Sequence, residues 1–209
     1  MRIALVSDCY LPTKNGVVTS LLQLAAGLQQ RGHRVIIIAA GNGLSEGEYP
    51  HIRVYRFPLI PVLPSVEVGL GLATSGRIQR ILQREGVEVL HTHTEFWIAR
   101  AAVRAALRIG LPSVHTLHTT YEEYRHYIPG AVLISESLLR SWWRRFLGRV
   151  HTVICPSERS SRYARRCVPE VPVEVVPNGM DPDTIIPSGE ADKRCVRQRL
   201  GIPERAQVL

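Results

Sequence analysis

The first forty positions hold two apolar runs separated by a helical period. Residues 2–7 carry Ile3, Ala4, Leu5 and Val6 in succession, the composition of a strand buried on both faces. From Gly16 the spacing changes: Val17, Leu21, Leu24, Ala25 and Leu28 recur on one helical face, and Gly32 stops the helix behind Arg31. Residues 34–39 form a second, β-branched run. Strand, loop, helix and strand in this order predict a parallel βαβ crossover.

The alternation continues. Residues 51–57 read as a less apolar strand, and 58–71, rich in Pro and Gly, as a long irregular loop. Helices are expected over 73–84, 97–109, 132–147 and 158–167, and strands over 87–92, 113–117, 152–156 and 173–176. Such alternation predicts an α/β fold, a Rossmann-like doubly wound parallel sheet with helices on both faces. After Asn178-Gly179 the chain becomes polar, and residues 206–209 look like the start of another strand. The expected organisation is one domain over 1–180, then a linker and the cut-off start of a second domain over 181–209.

Composition narrows the class. The chain has 209 residues, 45% of them hydrophobic, as in an ordinary globular protein. No apolar run approaches the roughly 20 residues that span a bilayer, and the opening stretch is too short for a secretory signal. A cytoplasmic location is expected. Cys9, Cys155, Cys167 and Cys195 form no close pair with metal-like spacing, which fits a reducing compartment. A G-x-G-x-x-G fingerprint is absent, which argues against a dinucleotide cofactor.

In an open parallel sheet, ligands bind beyond the carboxyl ends of the strands. Polar residues gather there: Asp8, Thr13, Lys14 and Asn15 after the first strand, then His91, His93, Thr94 and Glu95, then His118, Thr119, Thr120 and Tyr121. Asn15-Gly16-Val17 opens a helix, where unpaired amides and the helix dipole suit a phosphate and glycine permits close approach; a plain capped turn is the other reading. His91 and His93 alternate along a strand, so they are expected on opposite faces. His118 could orient hydroxyl groups or handle a proton.

The net charge of +8 concentrates at Arg140, Arg144, Arg145 and Arg149, around Trp142 and Trp143. An amphipathic helix rich in Arg and Trp matches an anionic membrane surface; a core helix with a solvated basic face is the alternative. Without interleaved base-stacking motifs, nucleic acid is not an expected partner.

Several segments resemble glycosyltransferase family 4: Ile3 to Pro12 with Asn15-Gly16-Val17, the turn Arg31-Gly32-His33-Arg34-Val35, Val89-Leu90-His91-Thr92-His93, Val153-Ile154-Cys155-Pro156-Ser157, and Val175-Val176-Pro177-Asn178-Gly179-Met180-Asp181. Ile185 or Ile186 stands near the place where the family usually has phenylalanine. The resemblance implies the N-terminal half of a GT-B fold and a retaining glycosyltransferase that moves a hexose from a nucleotide-sugar to a hydroxyl acceptor without cofactor or metal. It implies that Gly16 and Asn15 meet the donor diphosphate and that His118 acts in catalysis. Tyr10, His93, Glu95, Thr119 and Tyr121 become acceptor-side candidates.

Residues His118 to Tyr124 with His126-Tyr127-Ile128, and His93-Thr94-Glu95-Phe96, look like the diacylglycerol glucosyltransferase and phosphatidylinositol mannosyltransferase branch. That implies a glycerolipid acceptor, peripheral attachment at the cytoplasmic membrane face, and docking through Arg140, Trp142, Trp143, Arg144 and Arg145. The family's E-x7-E donor motif belongs to a second domain, so this chain alone is expected to be inactive. A non-catalytic nucleotide- or phosphate-binding module is the competing reading.

Overall fold

The computed structural model describes residues 1–41, 51–60, 70–71, 73–119, 136–179, 189–203 and 206–207. The opening apolar run forms β1 (Arg2–Ser7), helix α1 (Gly16–Gln30) crosses over, and the β-branched run forms β2 (Arg34–Ala40). Next come β3 (Arg53–Phe57), β4 (Leu59–Ile60), β5 (Leu70–Gly71), α2 (Ser75–Arg84), β6 (Val89–Thr92) and α3 (Trp97–Arg108). β7 (Ser113–Thr116), α4 (Glu136–Leu147), β8 (Thr152–Cys155), α5 (Glu158–Cys167) and β9 (Val173–Val175) follow. Helix α6 (Glu190–Arg199) lies further along.

Among the described residues, seven strands make one sheet in the order β3-β2-β1-β6-β7-β8-β9, and each neighbouring pair is parallel. β1 has β2 on one side and β6 on the other, so the order reverses between β1 and β6. Connections leave these two strands in opposite directions, and a crevice opens at their carboxyl ends.

Alternation along the strands splits the core in two. Leu5, Ile37 and Ala39 pack against Leu21 and Ala25 of α1. Ala4, Val6, Ile36, Ile38 and Leu90 face the layer containing α2, α3, α4 and α5. Helix α3 is central there, and Ala99, Ala101, Ala102, Ala105 and Ala106 are all buried, small side chains that let it sit close to the sheet.

Local chemistry sets the ends of α1. Asn15 Oδ1 accepts from Val18 N at 2.9 Å, and Gly32 turns the chain at φ 78° while its N–H donates to Gln29 O at 2.8 Å. At the opposite edge of the sheet, buried Glu85 accepts from Arg34, Arg53 and the Tyr55 hydroxyl. The Tyr55 bond is the largest single cause that holds the Glu85 carboxyl below its usual range, and Arg53 and Arg34 act in the same direction against the cost of burial.

Two expectations change, and a third falls outside the described residues. Inside residues 58–71, β4 and β5 pair antiparallel, Leu59 with Gly71 and Ile60 with Leu70; two-residue strands are too short to show a period in sequence. Residues 132–135, expected as the start of α4, lie outside the described residues. Ala206 and Gln207, expected to open a strand, are irregular: the Ala206 carbonyl accepts from Arg197 at 2.9 Å. The chain divides into compact units, Met1–Gly179 and Met180–Leu209. In the second, α6 presents mostly exposed polar residues. No helix among the described residues is long and apolar enough to cross a membrane.

Candidate active site

The crevice is held by Asp8, the first residue after β1. Its carboxylate accepts from Ile98 N at 2.6 Å, Ala99 N at 3.3 Å and Thr94 Oγ1 at 2.7 Å. Phe96, the residue preceding α3, supplies no side-chain cap, so Asp8 caps that helix from another strand. Burial raises the Asp8 pKa, and the bonds from Ile98, Thr94 and Ala99 oppose it.

Histidines line the next layer. His91 Nε2 lies 2.7 Å from Thr116 Oγ1, and His93 Nδ1 lies 3.0 Å from His118 Nε2. The His91 and His93 rings stack at 4.4 Å, whereas those of His93 and His118 lie edge to edge, with centres 5.3 Å apart and planes 22° apart. His91 and His93 therefore share one side, against expectation. Strand β6 ends at Thr92, and His93 stands in a bend where the alternation has stopped. Burial lowers the pKa of His91 and of His118 to about 4, and that of His93 well below 6.5. These rings are neutral at pH 7 and act as hydrogen-bonding groups, so His118 does not balance charge as a cation in the unliganded chain.

Helix α1 begins at Gly16 beyond the end of β1, and a Cβ there would meet nothing within 4 Å among the described residues. Packing among the described residues does not demand glycine at this position. The Asn15 side-chain oxygen is engaged as the α1 cap. Tyr10 is buried, with the Arg56 guanidinium 5.1 Å from its ring centre. Glu95 is buried and its carbonyl accepts from Arg100 Nε at 2.8 Å. His118 and Thr119 are half-buried; Tyr121 lies outside the described residues.

A cleft of about 340 Å³ runs beside α1, with His91, His93 and Thr116 at its floor and Asn178 at its rim. Ser20 Oγ donates to Asn178 Oδ1 at 3.2 Å across it. Among the described residues no group of His, Cys, Asp and Glu could hold a metal ion.

The profile of Glycosyltransferase Family 4 matches residues 14–184. The chain belongs to glycosyltransferase family 4. An alpha-monoglucosyldiacylglycerol synthase of Streptococcus pneumoniae is 31% identical over 181 residues, 87% of this chain and 41% of that protein. A phosphatidylinositol N-acetylglucosaminyltransferase subunit of Homo sapiens is 30% identical over 194 residues, 89% of this chain and 38% of that protein. This family 4 chain thus spans less than half the length of these relatives. The fold matches a sucrose-phosphate synthase from Thermosynechococcus elongatus with a TM-score of 0.66, at 16% identity, over 97% of this chain and 53% of that one. It is the Rossmann-like, doubly wound sheet of the N-terminal half of a GT-B fold.

In this family 4 chain, α4 splits the docking candidates. Arg140, Arg144 and Arg145 are exposed, Trp142 is half-buried, and Trp143 is 0% exposed. Trp143 is therefore removed from the membrane-facing candidates, because it packs in the core with Phe146 and Leu147. Trp142 is covered by Arg100, whose guanidinium sits 4.0 Å from the ring centre.

Two residues went unnoticed in sequence. Arg100 joins the Glu95 carbonyl to the Trp142 carbonyl, the latter at 3.3 Å, and so ties the loop after β6 to α4. His115 Nδ1 lies 2.9 Å from Thr92 Oγ1, with its ring edge-on to Phe146 at 5.0 Å. A polar residue inside a short buried strand was the available signal for His115; nothing local marked Arg100.

Proposed function

We propose that this chain is the acceptor-side part of a retaining, metal-independent glycosyltransferase that moves a hexose from a nucleotide-sugar to the hydroxyl of a glycerolipid. The observation carrying this reading is His118, a neutral and half-buried imidazole at the carboxyl edge of the sheet, hydrogen-bonded to His93. A neutral donor fixed in a partly dry site suits a sugar hydroxyl or the oxygen of a leaving diphosphate. The open helix start at Gly16 supports diphosphate contact. The names of the Streptococcus pneumoniae and Homo sapiens relatives support a lipid acceptor.

Transfer needs a donor-binding domain beyond this chain, which spans 41% of the Streptococcus pneumoniae relative. Exposed Arg140, Arg144 and Arg145 on α4 give it reversible attachment to an anionic leaflet. The test is hexose transfer from nucleotide-sugars to diacylglycerol or phosphatidylinositol in vesicles, using this chain, the complete enzyme and its His118→Ala variant. Transfer by the complete enzyme, loss in His118→Ala with the fold retained, and no turnover by the chain alone are expected. Full activity of a folded His118→Ala enzyme overturns the reading of the site.

A further inference from the structure

Between His93 Nδ1 and His118 Nε2, 3.0 Å apart, there is room for one proton, and its owner decides what His118 can do. If His118 donated, His93 would accept at Nδ1 and carry its own proton at Nε2. Among the described residues that nitrogen is buried and meets no hydrogen-bond partner, and an orphaned buried N–H is a rare arrangement. If His93 donates, its Nε2 is a bare lone pair, the milder defect.

His115 provides an independent precedent in the neighbouring strand. The Thr92 hydroxyl donates to Val114 O at 3.3 Å, so it accepts from His115 Nδ1–H at 2.9 Å. His115 Nε2 is then a bare, buried lone pair too. The same sheet layer thus accommodates one histidine protonated only at Nδ1.

We propose that His93 is a positioning residue: it donates Nδ1–H to His118 Nε2 and holds His118 as the Nδ1–H tautomer. His118 then presents Nδ1–H as the only donor of its ring. Stacking on His91 at 4.4 Å keeps the His93 plane fixed, and the His118 ring lies edge to edge with it, centres 5.3 Å apart and planes 22° apart, which gives the bond its direction. The role for catalysis rests on the reading of His118 given above; the tautomer itself does not.

The test is nitrogen NMR on this chain with 15N-labelled histidine at neutral pH. In the wild type, His118 Nε2 is expected to be pyridine-like and Nδ1 pyrrole-like, with a coupling across the hydrogen bond whose proton is attached to His93 Nδ1. His93→Asn supplies an amide N–H near the same place and should preserve the His118 pattern. His93→Phe should release His118 to the Nε2–H form that a free imidazole favours. In the complete enzyme His93→Phe should lower kcat by on the order of 100-fold, the loss of one fixed donor, with His93→Asn restoring most of it. A proton found on His118 Nε2 in the wild type, or an unchanged His118 spectrum in His93→Phe, overturns the proposal. The wild-type coupling decides the matter even if His93→Phe does not fold. An inactive role for His118 would appear separately, as full turnover by His118→Ala.

Discussion

Asp8 and Thr94 exchange two hydrogen bonds across the β1–β6 boundary: Asp8 N donates to Thr94 Oγ1 at 2.7 Å, and the same hydroxyl donates to Asp8 Oδ2 at 2.7 Å. With the amides of Ile98 and Ala99 on the same carboxylate, Asp8 fastens the first loop to the start of α3. Asp8→Ala removes the acceptor for buried N–H groups and should cost about 2–4 kcal/mol in urea unfolding. Thr94→Val removes only the hydroxyl and should cost about 1–2 kcal/mol. Equal stability of Asp8→Ala and wild type would show that water can replace the carboxylate.

Four histidines make stability depend on pH. Burial lowers His91 and His118 to about 4 and holds His93 and His115 well below 6.5. In the unfolded chain each returns to about 6.5. Between about 6.5 and 4 the unfolded state therefore binds more protons, so stability is complete above that window and is lost as pH falls through it. Each histidine contributes up to about 1.4 kcal/mol per pH unit. Urea midpoints at about pH 7.5 and about pH 5 measure this, and replacing His115 with Asn should flatten the dependence. A midpoint unchanged between the two conditions would contradict neutral burial.

Gly16 separates a folding role from a binding role. A Cβ there meets open space, so Gly16→Val should leave the melting temperature of this chain nearly unchanged. In the complete enzyme the same change should weaken nucleotide-sugar binding by about 10- to 100-fold, the loss of one charge-assisted hydrogen bond. Calorimetric binding at wild-type affinity would remove Gly16 from the donor site.

Helix α4 makes opposite predictions for its buried tryptophan and for its arginines. Trp143→Ala should cost about 3–5 kcal/mol, because the ring is wholly buried. The triple change of Arg140, Arg144 and Arg145 to Gln should leave stability within about 0.5 kcal/mol, since all are exposed. It should also reduce sedimentation with anionic vesicles at low salt and leave neutral vesicles unaffected. Equal sedimentation of the triple variant and the wild type would make α4 a scaffold helix only.

Sequence by itself determined the alternation of strands and helices, and with it the parallel sheet, because apolar period, helix caps and glycine stops act within a few residues. Asn15 capping α1 and Gly32 ending it are such local events. The strand ends were readable as the place for chemistry for the same reason. Only the tertiary structure decided what those ends hold. Asp8 meets Thr94 across 86 positions and His93 meets His118 across 25, contacts created by sheet order and by the bend after Thr92. Arg100 over Trp142, and Trp143 in the core beside an exposed arginine row, depend on which side of α4 the sheet covers. A helical period shows that α4 has an apolar stripe; its edge was drawn by the neighbouring helix.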